Sequence, residues 1–149
     1  MKVGIIGLGK IGEGMSRRMI KNGIEVWGYS STYENACVQY EAGHISGCVT
    51  SLEYLVQAVK SDGRVHTSAG KIPGIFQIVL PEEKVEDILD ELLPLLTEGD
   101  IIIDHSNGKI TRSQELEKYC SKLGISYIFA GVYGASYAIS TCSKIFQSL

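Results

Sequence analysis

The residues from Val3 to Gly14 leave this chain few folds to choose from. An apolar strand runs straight into Gly7-x-Gly9-x-x-Gly12, and a helix of mixed apolar and charged residues follows. Each glycine has a separate reason in such a turn. Gly7 allows the chain to reverse tightly, Gly9 lets a pyrophosphate approach the backbone, and Gly12 lets the helix lie close to the strand. The start of the helix then presents free N–H donors and the positive end of its dipole. Three glycines alone are a weak signal. Set between a strand and a helix, they predict a dinucleotide site.

The rest of the chain alternates strand and helix, which predicts an α/β domain of the Rossmann type, a doubly wound parallel sheet of about six strands ordered three-two-one-four-five-six. Strands are expected at Lys2–Ile6, Glu25–Tyr29, near Cys48-Val49, at Ile75–Leu80, at Ile101–Ile103 and at Ile125–Ala130. The first helix carries Ile11, Met15 and Met19 at four-residue spacing and stops at Asn22-Gly23. Thr32 is expected to cap a second helix reaching Ala42, and Ser51 a third with Leu52, Leu55, Val56 and Val59 inward. Glu82 and Glu83 suit the first turn of a fourth, whose inner face is Val85, Ile88, Leu89 and Leu92 and which Pro94 kinks or ends. Thr111-x-x-Gln114 resembles a capping box ahead of Leu116, Tyr119, Cys120 and Leu123, with Gly124 closing that helix. Lys60–Pro73 and Gly131–Ala138 read as loops, and a short ambiguous tail follows.

A chain of 149 residues, 44% hydrophobic and 21% charged, holds one domain, 1–149, with a sizeable core. A net charge of −3 without a basic cluster speaks against nucleic acid as a partner. No apolar run approaches a membrane span, and glycines interrupt the one near the N-terminus, so neither a membrane partner nor a secretory signal is expected. Cys37, Cys48, Cys120 and Cys142 show no metal-type spacing, so no metal is expected; they read as reduced, mostly buried thiols of a cytoplasmic protein.

In a doubly wound sheet the ligand lies beyond the carboxyl ends of the strands. The loop after strand two reports on the nucleotide. It reads Tyr29-Ser30-Ser31-Thr32, without the acid that would bind a ribose 2′-hydroxyl. The missing carboxylate removes repulsion against a 2′-phosphate, and Ser30, Ser31 and Thr32 can donate to one, so NADP is preferred and NAD is the alternative. No arginine strengthens that reading, and the same hydroxyls suit a plain turn and helix cap. After strand five comes Asp104-His105-Ser106-Asn107-Gly108-Lys109. Asn107 there can orient a substrate hydroxyl or a carboxamide, whereas His105 reads more readily as an exposed loop histidine than as a general base. His44 and His66 fall in loops without partners at useful spacing. No catalytic residue can be named from spacing alone.

The run Gly7-Leu8-Gly9-Lys10-Ile11-Gly12-x-x-Met15-x-Arg17-Arg18-Met19 resembles the start of 6-phosphogluconate dehydrogenase and related β-hydroxyacid dehydrogenases. Further landmarks follow in the same order: Lys71-x-Pro73 with Leu80-Pro81, Ile102-Ile103-Asp104-x-x-Asn107, and Gly131-x-x-Gly134. The resemblance covers essentially the whole chain. It implies the nicotinamide dinucleotide domain of an oxidoreductase that oxidises and decarboxylates 6-phosphogluconate, a sugar acid phosphate, to ribulose 5-phosphate in the pentose phosphate pathway. It places the pyrophosphate on Gly7, Leu8, Gly9, Lys10, Ile11 and Gly12, and the adenosine ribose or its phosphate on Ser30, Ser31 and Thr32. The nicotinamide side falls on Leu80 and Pro81, and both cofactor and substrate on Asn107. Tyr133 and Gly134 fall where the family's substrate loop lies.

The departures are specific. His105, Ser106 and Gly108 replace residues of the family's G-G-N-S, Tyr133 stands at its substrate-contacting serine, and Gly74 at its arginine. The polar stretch Lys60–Ala69 has no counterpart. The resemblance also implies a catalytic lysine and glutamate in a helical domain beyond this region, which Lys109 and Lys144 do not match. The chain alone is therefore expected to be inactive, and an uncovered apolar surface is expected to favour a homodimer. A 3-hydroxyisobutyrate-type dehydrogenase domain is a competing identity, disfavoured by Lys71-x-Pro73. A non-catalytic nucleotide-binding module is another, favoured by Tyr133.

Overall fold

The first strand, β1 (Lys2–Ile6), is buried along nearly its whole length and takes the centre of the sheet, which suits a residue run with no polar side chain after Lys2. The structure, a computed structural model, describes residues 1–61, 72–133 and 136–140. Around β1 the chain lays down α1 (Lys10–Lys21), β2 (Glu25–Tyr29), α2 (Tyr33–Glu41), β3 (Gly47–Val49) and α3 (Leu52–Lys60). It continues with β4 (Ile75–Ile78), α4 (Glu82–Leu92), β5 (Ile101–Asp104), α5 (Ile110–Lys122), β6 (Ser126–Tyr133) and β7 (Ser136–Ser140). The sheet order is β3-β2-β1-β4-β5-β6-β7. Every neighbouring pair from β3 to β6 is parallel, and β7 returns antiparallel to β6.

The six predicted strands and their order are therefore present. The seventh corrects the sequence reading, which took Gly131–Ala138 as a loop. Instead β6 runs on to Tyr133 and pairs residue by residue with β7, from Phe129↔Ser140 to Tyr133↔Ser136. The hairpin was hidden because Gly131 and Gly134 read as loop markers. Gly134 and the tail after Ser140 lie outside the described residues.

Two apolar clusters cover the two faces. On one, α3, α4 and α5 pack through Leu55, Val59, Val85, Leu89, Leu92 and Cys120 onto Phe76, Ile78 and Ile102. On the other, Ile5, Leu8 and Val26 meet Ala36 and Ile45, with Met15 and Met19 of α1 against them. This division follows from right-handed crossovers: the chain winds outward from β1 through α1 and α2, then crosses to the other face through α3.

The helix ends show where local signals held. Ser51 caps α3, its Oγ accepting the Tyr54 N–H at 3.2 Å. Glu82 and Glu83 open α4, and a short 3-10 turn at Leu93–Leu95, with Pro94 inside it, ends that helix. Thr32 does occupy the N-cap position of α2 but makes no side-chain cap bond. The Thr111-x-x-Gln114 box is not formed. Helix α5 begins two residues earlier than that box implies, at Ile110, with Lys109 in the cap position and Thr111 already inside the first turn. Three inward assignments also change: Ile11, Tyr119 and Leu123 are about half exposed, because the apolar stripes of α1 and α5 are narrower than their spacing suggested. Lys60 belongs to α3 rather than to a loop, and its Nζ pairs with the buried Asp100 carboxylate and donates to Thr97 Oγ1 at 2.8 Å. Asp100 also accepts the backbone N–H groups of Gly74 and Thr97, both at 2.8 Å. The polar stretch from residue 62 to residue 71, with His66 and Lys71, lies outside the described residues.

Candidate functional site

The turn between β1 and α1 separates what the fold requires from what it leaves open. Gly7 has φ 99°, and a Cβ on it would sit 2.2 Å from the Val79 carbonyl oxygen. A Cβ on Gly12 would sit 2.0 Å from the Gly7 carbonyl oxygen. Both contacts are shorter than carbon and oxygen tolerate, so the turn and the helix docking demand glycine at these two positions. Gly9 differs. Its φ of −70° and ψ of −172° suit any residue, and a Cβ there would meet nothing within 4 Å among the described residues.

Gly9 is also the N-cap of α1 and carries no side-chain cap. The first N–H groups of the helix therefore point outward without an intrahelical acceptor, beside open space and at the positive end of the dipole. That is the donor set for an anion whose oxygens must come close to the backbone. The side chains here contribute unequally. Leu8 is buried against Gly28 and Ile45 and offers the site only its backbone, while Lys10 and Ile11 are exposed at its rim.

The loop after β2 sits at the same edge. Ser30 Oγ accepts the Thr32 N–H at 3.3 Å, a local turn that leaves the Ser31 and Thr32 hydroxyls exposed at the start of α2. Alongside lies an open cavity of about 490 Å³, whose walls include Trp27, Tyr33, Val49, Thr50, Tyr54 and Gln57. Its size and aromatic lining suit a flat ring system.

On the other side of β1, Leu80 follows β4 with its side chain 2.8 Å from the point where a Gly7 Cβ would stand, and Pro81 is exposed as the N-cap of α4. After β5 the chain is held by a polar network that spacing did not reveal. Asp104 is 2% exposed. Its carboxylate accepts the Tyr127 hydroxyl and, at 2.8 Å, the Ser106 N–H. Burial, and then the neighbouring carboxylate, push the Tyr127 hydroxyl well above its ordinary range, so it stays a donor. His105 is tethered twice rather than exposed, which corrects the sequence expectation. Its Nδ1 donates to the Ala130 carbonyl at 2.9 Å, and its Nε2 meets the Gln77 side-chain amide at 3.1 Å. Burial lowers the His105 pKa, while its Nε2 faces Gln77 Oε1 and the Gln77 amide N–H donates to Met19 Sδ at 3.2 Å. A ring with both nitrogens facing carbonyl oxygens of the sheet is a strut, not a free base.

Asn107 emerges from this network exposed. Behind it Arg112 donates to the Glu82 carbonyl and to Glu86 Oε1, both at 2.9 Å, tying the start of α5 to the start of α4. Tyr133 ends β6 at the same carboxyl edge, while Gly134 is outside the described residues. His44 is also partnered: its Nδ1 lies 2.7 Å from Gln39 Oε1 and 3.6 Å from Glu13 Oε1. Among the described residues no group of three or more His, Cys, Asp or Glu side chains could hold a metal ion. No helix of the described residues is long and apolar enough to cross a membrane.

The arrangement agrees with the comparisons. Residues 2–146 match the family described as the NAD binding domain of 6-phosphogluconate dehydrogenase. A decarboxylating 6-phosphogluconate dehydrogenase of Bacillus licheniformis is 28% identical over 134 residues, covering 89% of this chain and 27% of that protein. A Bacillus subtilis relative described as NAD(+)-dependent and decarboxylating is 26% identical over 145 residues, or 96% of this chain and 29% of its own length. Among solved structures, 3-hydroxyisobutyrate dehydrogenase of Mycobacterium tuberculosis shares the fold with a TM-score of 0.73 at 20% identity, covering 99% of this chain and 49% of that one. The chain thus spans less than a third of the length of these two curated relatives.

Proposed function

The chain belongs to the family of NAD-binding domains of 6-phosphogluconate dehydrogenase, and from that premise we propose that it binds NADP in preference to NAD for an oxidoreductase acting on 6-phosphogluconate. The observation that carries the reading is the open space at Gly9 beside the uncapped start of α1. Among the described residues nothing requires glycine there, and a pyrophosphate does.

In this reading the N–H groups from Gly7 to Gly12 receive the pyrophosphate. Ser30, Ser31 and Thr32 receive the 2′-phosphate, and the cavity walled by Trp27, Tyr33 and Tyr54 receives the adenine. Leu80 and Pro81 bound the nicotinamide, and Asn107, held out by the Asp104 and His105 tethers, orients substrate against it. When bound, the nicotinamide accepts a hydride from the substrate. The preference for NADP rests on the missing acid after β2, and the Bacillus subtilis relative marks NAD as the alternative. We assign the decarboxylation to the whole protein, because among the described residues His105 has both ring nitrogens engaged and Lys109 does not match the position of the family's catalytic lysine. We assign the protein to the cytoplasm on its cysteine pattern, with a homodimer as its assembly.

A non-catalytic nucleotide-binding role is the second reading, favoured by Tyr133 at the carboxyl edge where the family has a small residue. Calorimetric titration with NADP and NAD, followed by an assay with 6-phosphogluconate, tests both. Tighter binding of NADP without turnover by the 149-residue chain is expected. Binding of neither cofactor would overturn the assignment, and turnover would overturn the claim that this region lacks a base.

A further inference from the structure

Away from the cradle, the middle of α2 faces the edge strand β3 through two sulfur atoms. Cys37 Sγ and Cys48 Sγ lie 3.9 Å apart across 11 positions of sequence, and the Tyr33 hydroxyl is 3.7 Å from Cys48 Sγ. Both cysteines are half-buried, so a small reagent can reach them without unfolding. Cys120 is the contrast: it is fully enclosed in the core, and burial pushes its thiol up to about 11. Cys48 also stands on the wall of the aromatic cavity, which it shares with Trp27.

We propose that Cys37 and Cys48 are a redox-active dithiol, closed to an intramolecular disulfide by a low-molecular-weight disulfide of the glutathione type. One cysteine thiolate attacks a sulfur of the oxidant, breaking its S–S bond and releasing one thiol. The second cysteine thiolate then attacks the sulfur of the first, forming the Cys37–Cys48 bond and releasing the other thiol. Two protons and two electrons leave the protein, and the oxidant departs as two thiols. The sulfurs need to approach by about 2 Å to reach bonding distance, within reach of side-chain rotation and a small shift of the last strand of the sheet on that side. The bond fastens α2 to β3 and takes a sulfur partner from Tyr33, the residue directly after the Ser30–Thr32 loop. Burial holds the Cys48 thiol above its ordinary value, so closure quickens as pH rises above neutral.

The whole reduced chain, incubated with oxidised glutathione under native conditions and quenched with an alkylating agent, tests this directly. The expected product is lighter by two hydrogens, with one cross-linked peptide pair joining Cys37 to Cys48. Because Trp27 is the sole tryptophan and shares the cavity with Cys48, its fluorescence should fall on closure and return with dithiothreitol. Cys37→Ser and Cys48→Ser should each abolish the cross-link and trap a glutathione adduct on the remaining partner. A glutathione adduct that persists on Cys37 or Cys48 in the unsubstituted protein would overturn the proposal. So would a cross-link to another cysteine, or no reaction while the protein stays folded. None of these readouts depends on nucleotide binding, so failure of the cradle reading would leave this test intact.

Discussion

Replacing Gly9 with alanine separates a ligand's demand from the fold's. The added Cβ meets nothing within 4 Å among the described residues, and the backbone angles at Gly9 are open to alanine. Folding should therefore hardly change. Alanine is a poorer N-cap than glycine but loses less chain entropy, and the two effects are each below about 1 kcal/mol and opposed. The ligand is treated differently, since the methyl group fills the space through which a pyrophosphate would reach the helix N–H groups. Overpacking of that kind costs about 1–3 kcal/mol, which weakens NADP binding about 5- to 140-fold. Gly12→Ala is the paired control. Its Cβ would stand 2.0 Å from the Gly7 carbonyl oxygen, where contacts under 3.0 Å essentially never occur, so α1 must withdraw by at least about 1 Å. That change should lower stability by about 1–3 kcal/mol with or without ligand. Urea denaturation followed by circular dichroism gives the stabilities, and calorimetry gives Kd for NADP. The reasoning fails if Gly9→Ala destabilises the protein as much as Gly12→Ala, or if it leaves Kd unchanged.

The other expectations concern the network around the site. His105 has a folded-state pKa below its unfolded value of about 6.5. The unfolded chain therefore binds more protons, and the stability from the neutral ring is whole above about pH 6.5 and is lost as pH falls below it. Chemical denaturation from pH 8 to pH 5 should show that decline, and His105→Asn should flatten it. Tyr127→Phe leaves one oxygen of the buried Asp104 carboxylate without its hydroxyl partner, so a loss of about 1–3 kcal/mol is expected in urea denaturation. Lys60→Met removes a cation that is only partly covered from Asp100 and should cost about 1 kcal/mol, measured the same way. Ser31→Asp puts a carboxylate beside the 2′-phosphate position and should weaken NADP about tenfold while sparing NAD, a ratio that titration with both cofactors reads.

The sequence spoke clearly where the governing interactions are short in range. Strands β1 and β2 were bounded correctly because turn residues lie close by in the sequence, Gly7 directly after β1 and Asn22-Gly23 and Ser30-Ser31 on either side of β2. Ser51 was legible as a cap because a cap and its N–H partner lie three positions apart. The failures occur where a distant partner decides. The hairpin of β6 and β7 depends on pairing that overrides two glycines read as loop markers. The exposed half of α5 follows from how much sheet lies beneath it, which the periodicity of Tyr119, Cys120 and Leu123 cannot report. The Thr111 box lost to a helix start two residues earlier, where Arg112 of α5 holds the carboxylate and carbonyl of Glu82.

The same distinction divides the site itself. The glycines could be read because their spacing between a strand and a helix is a local signal, and the structure adds that Gly7 and Gly12 serve the fold while Gly9 is the one of the three left open to a ligand. The β5 loop could not be read, because its shape is set by residues from other strands. Asp104 is held by Tyr127, which the β5–β6 register brings alongside, and His105 by Gln77 of β4 and Ala130 of β6. The ladder between β5 and β6 stops at Asp104↔Phe129, and at Ala130 the imidazole N–H supplies the donor that the next backbone N–H would have given. A histidine that replaces a ladder bond has no local signature, since the same residue in an unpaired loop would read identically. That is why His105 looked like an exposed loop histidine in the sequence and proves to be tied to both neighbouring strands, two positions before Asn107.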